Sequence, residues 1–248
     1  MPQHDVVIIG GGFAGLRAAL GAKQMGADVA VVSKMHPMRS HSSGAHSGIN
    51  AALKSGDSWQ SHALDTIRAG AYLCDQDLVE VLCQTGIKEV IGLEHMGVIF
   101  SRDSEGRIDV TSFPGSREAR SCYVGDSAGH VILQVLYEQI LRAGVVTYDE
   151  WFVSSLLVED GVCKGVVARE FKTGILHTVR GKAVVLATGS LGRMYDPSTC
   201  SLTGTADGVS LAYRAGASLM DMEMVQYHPT TLKGKGILVT EMARSEGA

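Results

Sequence analysis

The sequence predicts a doubly wound α/β fold of the Rossmann-like kind with a β-meander inserted in it, and three observations carry that expectation. An apolar strand, Val6 to Ile9, runs directly into Gly10, Gly12 and Gly15 in G-x-G-x-x-G spacing. A helical pattern and a second apolar strand follow at once, which is the context such a glycine run needs. Beyond residue 150 the pattern changes to strand-like runs separated by hairpin dipeptides.

In chain order, the first element is the strand Val6–Ile9, then the helix Ala14–Met25, then the strand Val29–Val32. The first glycine of the cradle makes the tight turn, and the second lets backbone amides reach a pyrophosphate. The third lets the helix pack on the strand with its N-terminus facing the anion. Ala14, Ala18 and Ala22 recur at i, i+4 and i+8, a small-residue stripe expected to face the sheet. Helices are expected over Ala45–Leu53 and Trp59–Ala71. Gln76–Met96 carries Leu78, Val81, Leu82, Ile87 and Ile91 in a helical rhythm interrupted at Gly86. Ser101–Val110 reads as a hairpin or loop, and Ala128–Leu141 as an amphipathic helix. Phe152–Val158, Val162–Arg169 and Ile175–Val179 form the meander, turning at Asp160-Gly161 and Thr173-Gly174. A short apolar strand, Ala183–Leu186, then ends at Ala187-Thr188-Gly189.

Composition narrows the function classes. The chain has 248 residues, and its apolar and charged fractions, 45% and 19%, are ordinary for a soluble globular protein. A net charge of −4 without a basic run argues against a nucleic-acid partner. No apolar run reaches the ~18–20 residues of a membrane span, and a strand beginning by Asp5 leaves no room for a secretory signal. The five cysteines are scattered without C-x-x-C, so they form no iron–sulfur or metal set. His36, His41 and His46 recur every five residues, a spacing that matches no common zinc pattern. No metal site is expected.

Met38-Arg39-Ser40-His41-Ser42 follows the cradle and its second strand, and Gly48-Ile49-Asn50-Ala51-Ala52 comes soon after. With these motifs the chain resembles the flavoprotein subunit of succinate dehydrogenases and quinol–fumarate reductases. The cradle, meander and late A-T-G turn likewise resemble the FAD-binding domain of flavin-dependent oxidoreductases. The resemblance implies FAD as cofactor, covalently attached through His41. The residue-level alternative is an ordinary solvated loop histidine. It also implies FAD contacts from Gly10, Gly11, Gly12, Phe13, Ala14 and Gly15, from Ser33 and Lys34, and from Arg39, Ser40 and Ser42. Gly48, Val153, Thr188, Gly189 and Asp207 complete that set. Ser33 stands where a dinucleotide fold usually carries Asp or Glu; serine can donate to a ribose or simply end a strand. Asp207, in Thr205-Ala206-Asp207-Gly208, matches the family's T-G-D-G and would contact the ribityl region, or cap the following helix over Val209–Ala215.

Asp221 to Thr230 matches the family's D-x-E-F-x-Q-[FY]-H-P-T run, which gives His228 the role of holding a dicarboxylate. Thr240-Glu241-Met242-Ala243-Arg244 matches T-E-G-x-R, which implies substrate contact by Thr240 and a proton relay through Glu241 and Arg244. At i and i+3 the last two can equally form a surface ion pair. By the same resemblance the reaction is succinate–fumarate interconversion, with a hydride passing between substrate carbon and flavin and electrons leaving through an iron–sulfur subunit to quinone. Partners would be that subunit and membrane anchor subunits. The protein is then expected in the cytoplasm, peripheral on the inner face of the cell membrane. An L-aspartate oxidase is the alternative within the superfamily, and a non-catalytic FAD-binding fragment the alternative outside it.

The chain departs from the family pattern at His46 and Ser47, at Ala206, and at Ser190 in A-T-G-S. The resemblance covers the whole chain but less than half of a family subunit. Residues 1–232 are expected to be the N-terminal segment of the FAD-binding domain. Residues 233–248 would begin an α+β capping domain that is cut short, so the chain alone is expected to be catalytically incomplete.

Overall fold

The structure is a computed structural model that describes residues 1–112, 116–228, 230–232 and 234–239. In chain order the strands are β1 (Gln3–Ile9), β2 (Val29–Ser33), β3 (Ile49–Asn50), β4 (Val110–Thr111), β5 (Ser121–Cys122), β6 (Val146–Asp149), β7 (Trp151–Glu159), β8 (Val162–Glu170), β9 (Leu176–Leu186), β10 (Thr231–Leu232) and β11 (Ile237–Leu238). The helices are α1 (Phe13–Gln24), α2 (Trp59–Ala69), α3 (Gln76–Met96), α4 (Ala128–Arg142) and α5 (Asp207–Arg214). Two compact units divide them: Met1–Ser43 with Leu136–Leu238, and a second built on Gly44–Val135.

The first unit is built on a six-stranded sheet in the order β6-β2-β1-β9-β8-β7. The four strands from β6 to β9 are parallel to one another, and β9, β8 and β7 are antiparallel. The central strands β1 and β2 are covered on both faces, which is why they read as unbroken apolar runs rather than alternating ones. Val7, Ile8, Val29, Ala30, Val31 and Val32 are all buried. Val7, Ile9 and Val32 share one cluster with Val153, Val166, Ala168 and Val179 of the meander and Leu211 of α5. Parallel sheet and meander therefore share a single core.

Several expectations need correcting. The meander's third run and the strand after it are one element, β9. Its first half pairs antiparallel with β8 (Ala168 opposite His177), its second half parallel with β1 (Ile8 opposite Val185). Arg180-Gly181-Lys182 looks like a break in the sequence, but Gly181 is buried against Val7, where a Cβ would lie 2.8 Å from Cγ2. The four-residue β6 was not anticipated, because V-T-Y-D has neither length nor alternation. The helix α1 buries Gly15, Leu16, Ala19 and Leu20, not the Ala14–Ala18–Ala22 stripe. The close approach of Gly15 to the turn at Gly10 sets that rotation, and Ala14 is left exposed.

In the second unit, α2 and α3 pack through Ala63, Val79 and Cys83, with Trp59 and Ile67 alongside. Ser58 caps α2 by accepting from Ser61 N, and Asp75 caps α3 by accepting from Leu78 N. The helix α3 runs unbroken through Gly86 and buries Val79, Cys83, Val90 and Leu93, whereas Leu78, Val81 and Leu82 face outward. No helix forms over 45–53. Gly48 takes φ +85°, and Ile49 and Asn50 pair with Cys122 and Ser121 instead. Residues 101–110 do fold back on themselves, through a bridge between Arg102 and Ile108. Among the described residues no helix is long and apolar enough to cross a membrane.

Candidate functional site

Most of the expected FAD contacts belong to the first unit. Strand β1 ends at Ile9, and Gly10 turns the chain at φ +115° with its amide donating to Val32 O. A Cβ on Gly10 would lie 2.2 Å from Ala187 O, and one on Gly15 would lie 1.8 Å from Gly10 O. Gly10 is thus required by the backbone just past the neighbouring strand β9, and Gly15 by the turn itself. Gly12 opens α1 without a side-chain cap and with no acidic residue in the first turn, so the helix N-terminus presents its field to an outside anion. The amide of Phe13 donates to Ser42 Oγ at 3.2 Å, which ties the Ser40–Ser42 loop to the cradle. Ser40 Oγ is buried beside it without a hydrogen-bond partner.

A dinucleotide fits these features: a glycine turn that admits no side chain, an open helix start, and an orphaned hydroxyl in the adjoining loop. Ser33 closes β2, 5% exposed, its Oγ only 2.8 Å from where a Gly11 Cβ would be. Thr188 and Gly189 follow β9 directly, and Val153 lies buried in β7. Arg39 is exposed at the end of a single 3₁₀ turn.

His41 is exposed, and its Nδ1 accepts the backbone amide of Ser201 at 3.2 Å. That contact fixes which ring nitrogen is used: Nδ1 keeps its lone pair, and Nε2 is left for any other bond. The other two histidines of the five-residue series have separate partners. His36 Nδ1 accepts from Met38 N and its Nε2 faces the Tyr137 hydroxyl at 3.3 Å, while His46 Nδ1 donates to Asp126 O at 2.7 Å. Among the described residues no cluster of three or more His, Cys, Asp or Glu side chains could hold a metal ion.

Lys34 and Asp207 are brought into direct contact. Lys34 Nζ donates to Asp207 Oδ2 and to Thr205 Oγ1, each at 2.8 Å, and to Thr203 O at 3.3 Å. Thr205 Oγ1 also donates to Asp207 Oδ1 at 2.9 Å. This pin between the end of β2 and the start of α5 joins residues 173 positions apart. Nothing in the local sequence signals it. Asp207 is the first residue of α5 rather than its cap; the cap position is Ala206, at φ +61° without a side-chain hydrogen bond. Glycine occupies this place in the family pattern because it carries no Cβ penalty there. Ala206→Gly is expected to stabilise the protein by about 1 kcal/mol, the left-handed cost less the added chain entropy. A urea titration would measure it.

His228 Nδ1 lies 2.8 Å from Thr230 O and 3.2 Å from Thr230 N. Nδ1 accepts the Thr230 amide hydrogen when it carries a lone pair and donates to the Thr230 carbonyl when it carries a proton, so either tautomer keeps Nδ1 on Thr230. His228 lines a cavity of about 290 Å³ together with Tyr195, Ser198, Cys200, Gln226 and Leu232. Sequence reasoning missed Cys200 and Tyr195, which carry no motif. Gly48 lies in the second unit, where a Cβ would sit 2.2 Å from Cys122 O, so its glycine is accounted for by packing on β5. Thr240, Glu241 and Arg244 lie outside the described residues.

The glycine turn, the open helix start and the parallel sheet behind them define a dinucleotide-binding domain. Residues 5–248 match the model of the FAD binding domain family, and the chain belongs to that family; its cofactor is FAD. Over 248 residues it is 46% identical to the fumarate reductase flavoprotein subunit of Mycobacterium tuberculosis, covering 99% of this chain and 42% of the relative. The succinate dehydrogenase flavoprotein subunit of Rickettsia bellii is 44% identical over 255 residues, with 99% and 43% covered. Among solved structures, Escherichia coli quinol fumarate reductase FrdA, in a mutant form, superposes with a TM-score of 0.97 at 40% identity. That match covers all of this chain and 43% of the other. The chain therefore spans about two-fifths of the relatives it matches.

Proposed function

We propose that this chain is the FAD-holding part of a flavoprotein subunit that interconverts succinate and fumarate. One observation carries the reading: the segment 198–201 serves two sites at once. Ser198, Thr199 and Cys200 line the His228 cavity, and the next amide, Ser201 N, holds His41. A flavin joined to His41 would thus be anchored one residue from the wall of a cavity containing the candidate dicarboxylate ligand. The named relatives support the same chemistry.

In this reading His41 bonds to FAD through Nε2, because an Nε2-substituted imidazole keeps the Nδ1 lone pair that accepts from Ser201. When bound, FAD supplies the two-electron acceptor that a saturated dicarboxylate needs. Gly10 to Gly15 would hold the pyrophosphate, Ser33 would stand at the ribose, and Asp207, pinned by Lys34, would serve the ribityl chain. His228, when doubly protonated, donates Nδ1–H to Thr230 O and presents Nε2–H to a carboxylate. Thr240 contacts substrate, and Glu241 and Arg244 move the proton. Residues 1–232 form the FAD-binding segment, and 233–248 begin a capping domain. Electrons leave through an iron–sulfur subunit to a quinone, and anchor subunits hold the complex at the inner face of the cell membrane.

Mass spectrometry of the peptide around His41, with flavin fluorescence on a denaturing gel, tests the attachment. Fluorescence is expected to migrate with the chain and to vanish in His41→Ala, while the cradle still binds FAD reversibly. A chain that sheds all its flavin on denaturation would defeat the covalent assignment. For substrate, His228→Ala is expected to weaken malonate binding by about 1.5–3 kcal/mol, the range for a hydrogen bond to a charged group. Flavin absorbance titration reads this out; an unchanged affinity removes His228 from the site.

A further inference from the structure

Within the first unit, residues not assigned to FAD or substrate form a continuous chain of ring contacts. His4, on β1, is 8% exposed; its Nδ1 lies 2.8 Å from Asp28 Oδ2 and its Nε2 3.1 Å from the Tyr148 hydroxyl. An ionised carboxylate can only accept, so Nδ1 carries the hydrogen and Nε2 takes the hydrogen bond donated by Tyr148. Tyr148 then meets Trp151, with centroids 4.8 Å apart and planes at 37°. Trp151 in turn stacks on His177 at 4.5 Å and 24°, and His177 Nε2 lies 3.4 Å from Glu170 Oε2.

Packing alone explains the rings, since aromatic pairs at this separation add about 0.5–1.5 kcal/mol. It does not explain a base backed by a carboxylate on the phenol. A phenol that loses an electron becomes a strong acid, so its oxidation near neutral pH goes readily only when a base takes the proton in the same event. His4, polarised by Asp28, is placed as that base. Losing the proton first is disfavoured, because burial, with the charge of Asp28 behind it, pushes the Tyr148 hydroxyl above the usual phenol range. Electron and proton must therefore leave together.

We propose that Trp151 and Tyr148 form a redox relay that draws one-electron oxidising equivalents of the oxygen-radical class from the indole to the phenol. The step begins with Trp151 as its radical cation. One electron passes from Tyr148 to Trp151, which returns to the closed-shell indole. The Tyr148 O–H bond breaks, its proton goes to His4 Nε2, and a neutral phenoxyl radical remains. His4 becomes an imidazolium paired with Asp28, and total charge is conserved.

Trp59 and Trp151 are the two tryptophans of the chain. Pulse radiolysis with azide radicals, which oxidise indoles preferentially, on Trp59→Phe protein starts the reaction at Trp151. The indolyl band is expected to decay into a phenoxyl band at a rate independent of protein concentration and slower in heavy water. Tyr148→Phe should abolish that growth. His4→Gln should slow it and remove the isotope effect. Should His4→Gln fail to fold, Tyr148→Phe and the isotope effect decide the matter. Trp151→Phe, made with Trp59 intact, gives the converse test: indolyl radicals form at Trp59 without transfer. Phenoxyl growth that survives Tyr148→Phe, or that is indifferent to both heavy water and His4, would leave this cluster a structural one and overturn the proposal.

Discussion

Replacing Arg120 with alanine is expected to lower the unfolding free energy of the second unit by about 3–5 kcal/mol, the range for removing one partner from a buried ion pair. The guanidinium is 3% exposed and grips Asp57 with two parallel hydrogen bonds, Nε to Oδ2 at 2.7 Å and a terminal nitrogen to Oδ1 at 2.9 Å. Further bonds reach Asp65 Oδ2 at 2.8 Å and Ser61 Oγ at 2.9 Å. The Asp57 side chain is 1% exposed, so the substitution strands a carboxylate with no cation and little water. Equilibrium urea unfolding followed by circular dichroism checks this, and a loss under 1 kcal/mol would show that the site reorganises. The same cluster sets an acid limit. Hydrogen bonding to Arg120 holds the Asp57 carboxyl below its ordinary value of 3.8. A depressed folded-state value means this stability is fully present above the unfolded value and is lost as pH falls through the folded one. Asp57→Asn should flatten the decline below pH 3.8 while lowering stability at neutrality.

Gly15→Ala is the second change with a large expected effect. Its Cβ would lie 1.8 Å from Gly10 O and 3.0 Å from Gly10 C, both backbone atoms, so no rotamer relieves the clash. Either α1 moves off the sheet or the turn at Gly10 opens, and in both cases the helix start no longer faces the pyrophosphate. FAD affinity should fall by at least about a hundredfold, roughly 2.8 kcal/mol. Fluorescence quenching of added FAD would measure it. As a control, Gly26→Ala meets no atom within 4 Å and lies just past the opposite end of α1; it should cost only its positive φ of +84°.

How much was legible follows from whether information was local. The cradle could be read because its strand, glycines and helix occupy one short segment with a fixed spacing, although the backbone that excludes a side chain at Gly10 is that of the distant Ala187. The same is true of the hairpin turns at Asp160-Gly161 and Thr173-Gly174, where β7, β8 and β9 connect. The face of α1 was misjudged, and the core face of α3 was not legible, because apolar periodicity cannot tell a core face from an exposed one when both carry Leu, Val and Ala. Gly15 decides the first and packing against Ala63 the second. The Lys34–Asp207 pin, the Ser201 grip on His41 and the Arg120 cluster all join residues far apart in sequence. No local pattern encodes such pairs.

The position of β9 has a consequence for how the protein is made. Ile9 finds its partner at Leu186, so one edge of β1 stays open until nearly the whole sheet has been translated. At typical synthesis rates that delay is roughly 10–35 seconds. Throughout it, an apolar Val-Val-Ile-Ile edge waits on the ribosome as a template for any stray strand. Nascent chains of this protein should therefore depend on holding factors until the far strand arrives, whatever the stability of the finished molecule.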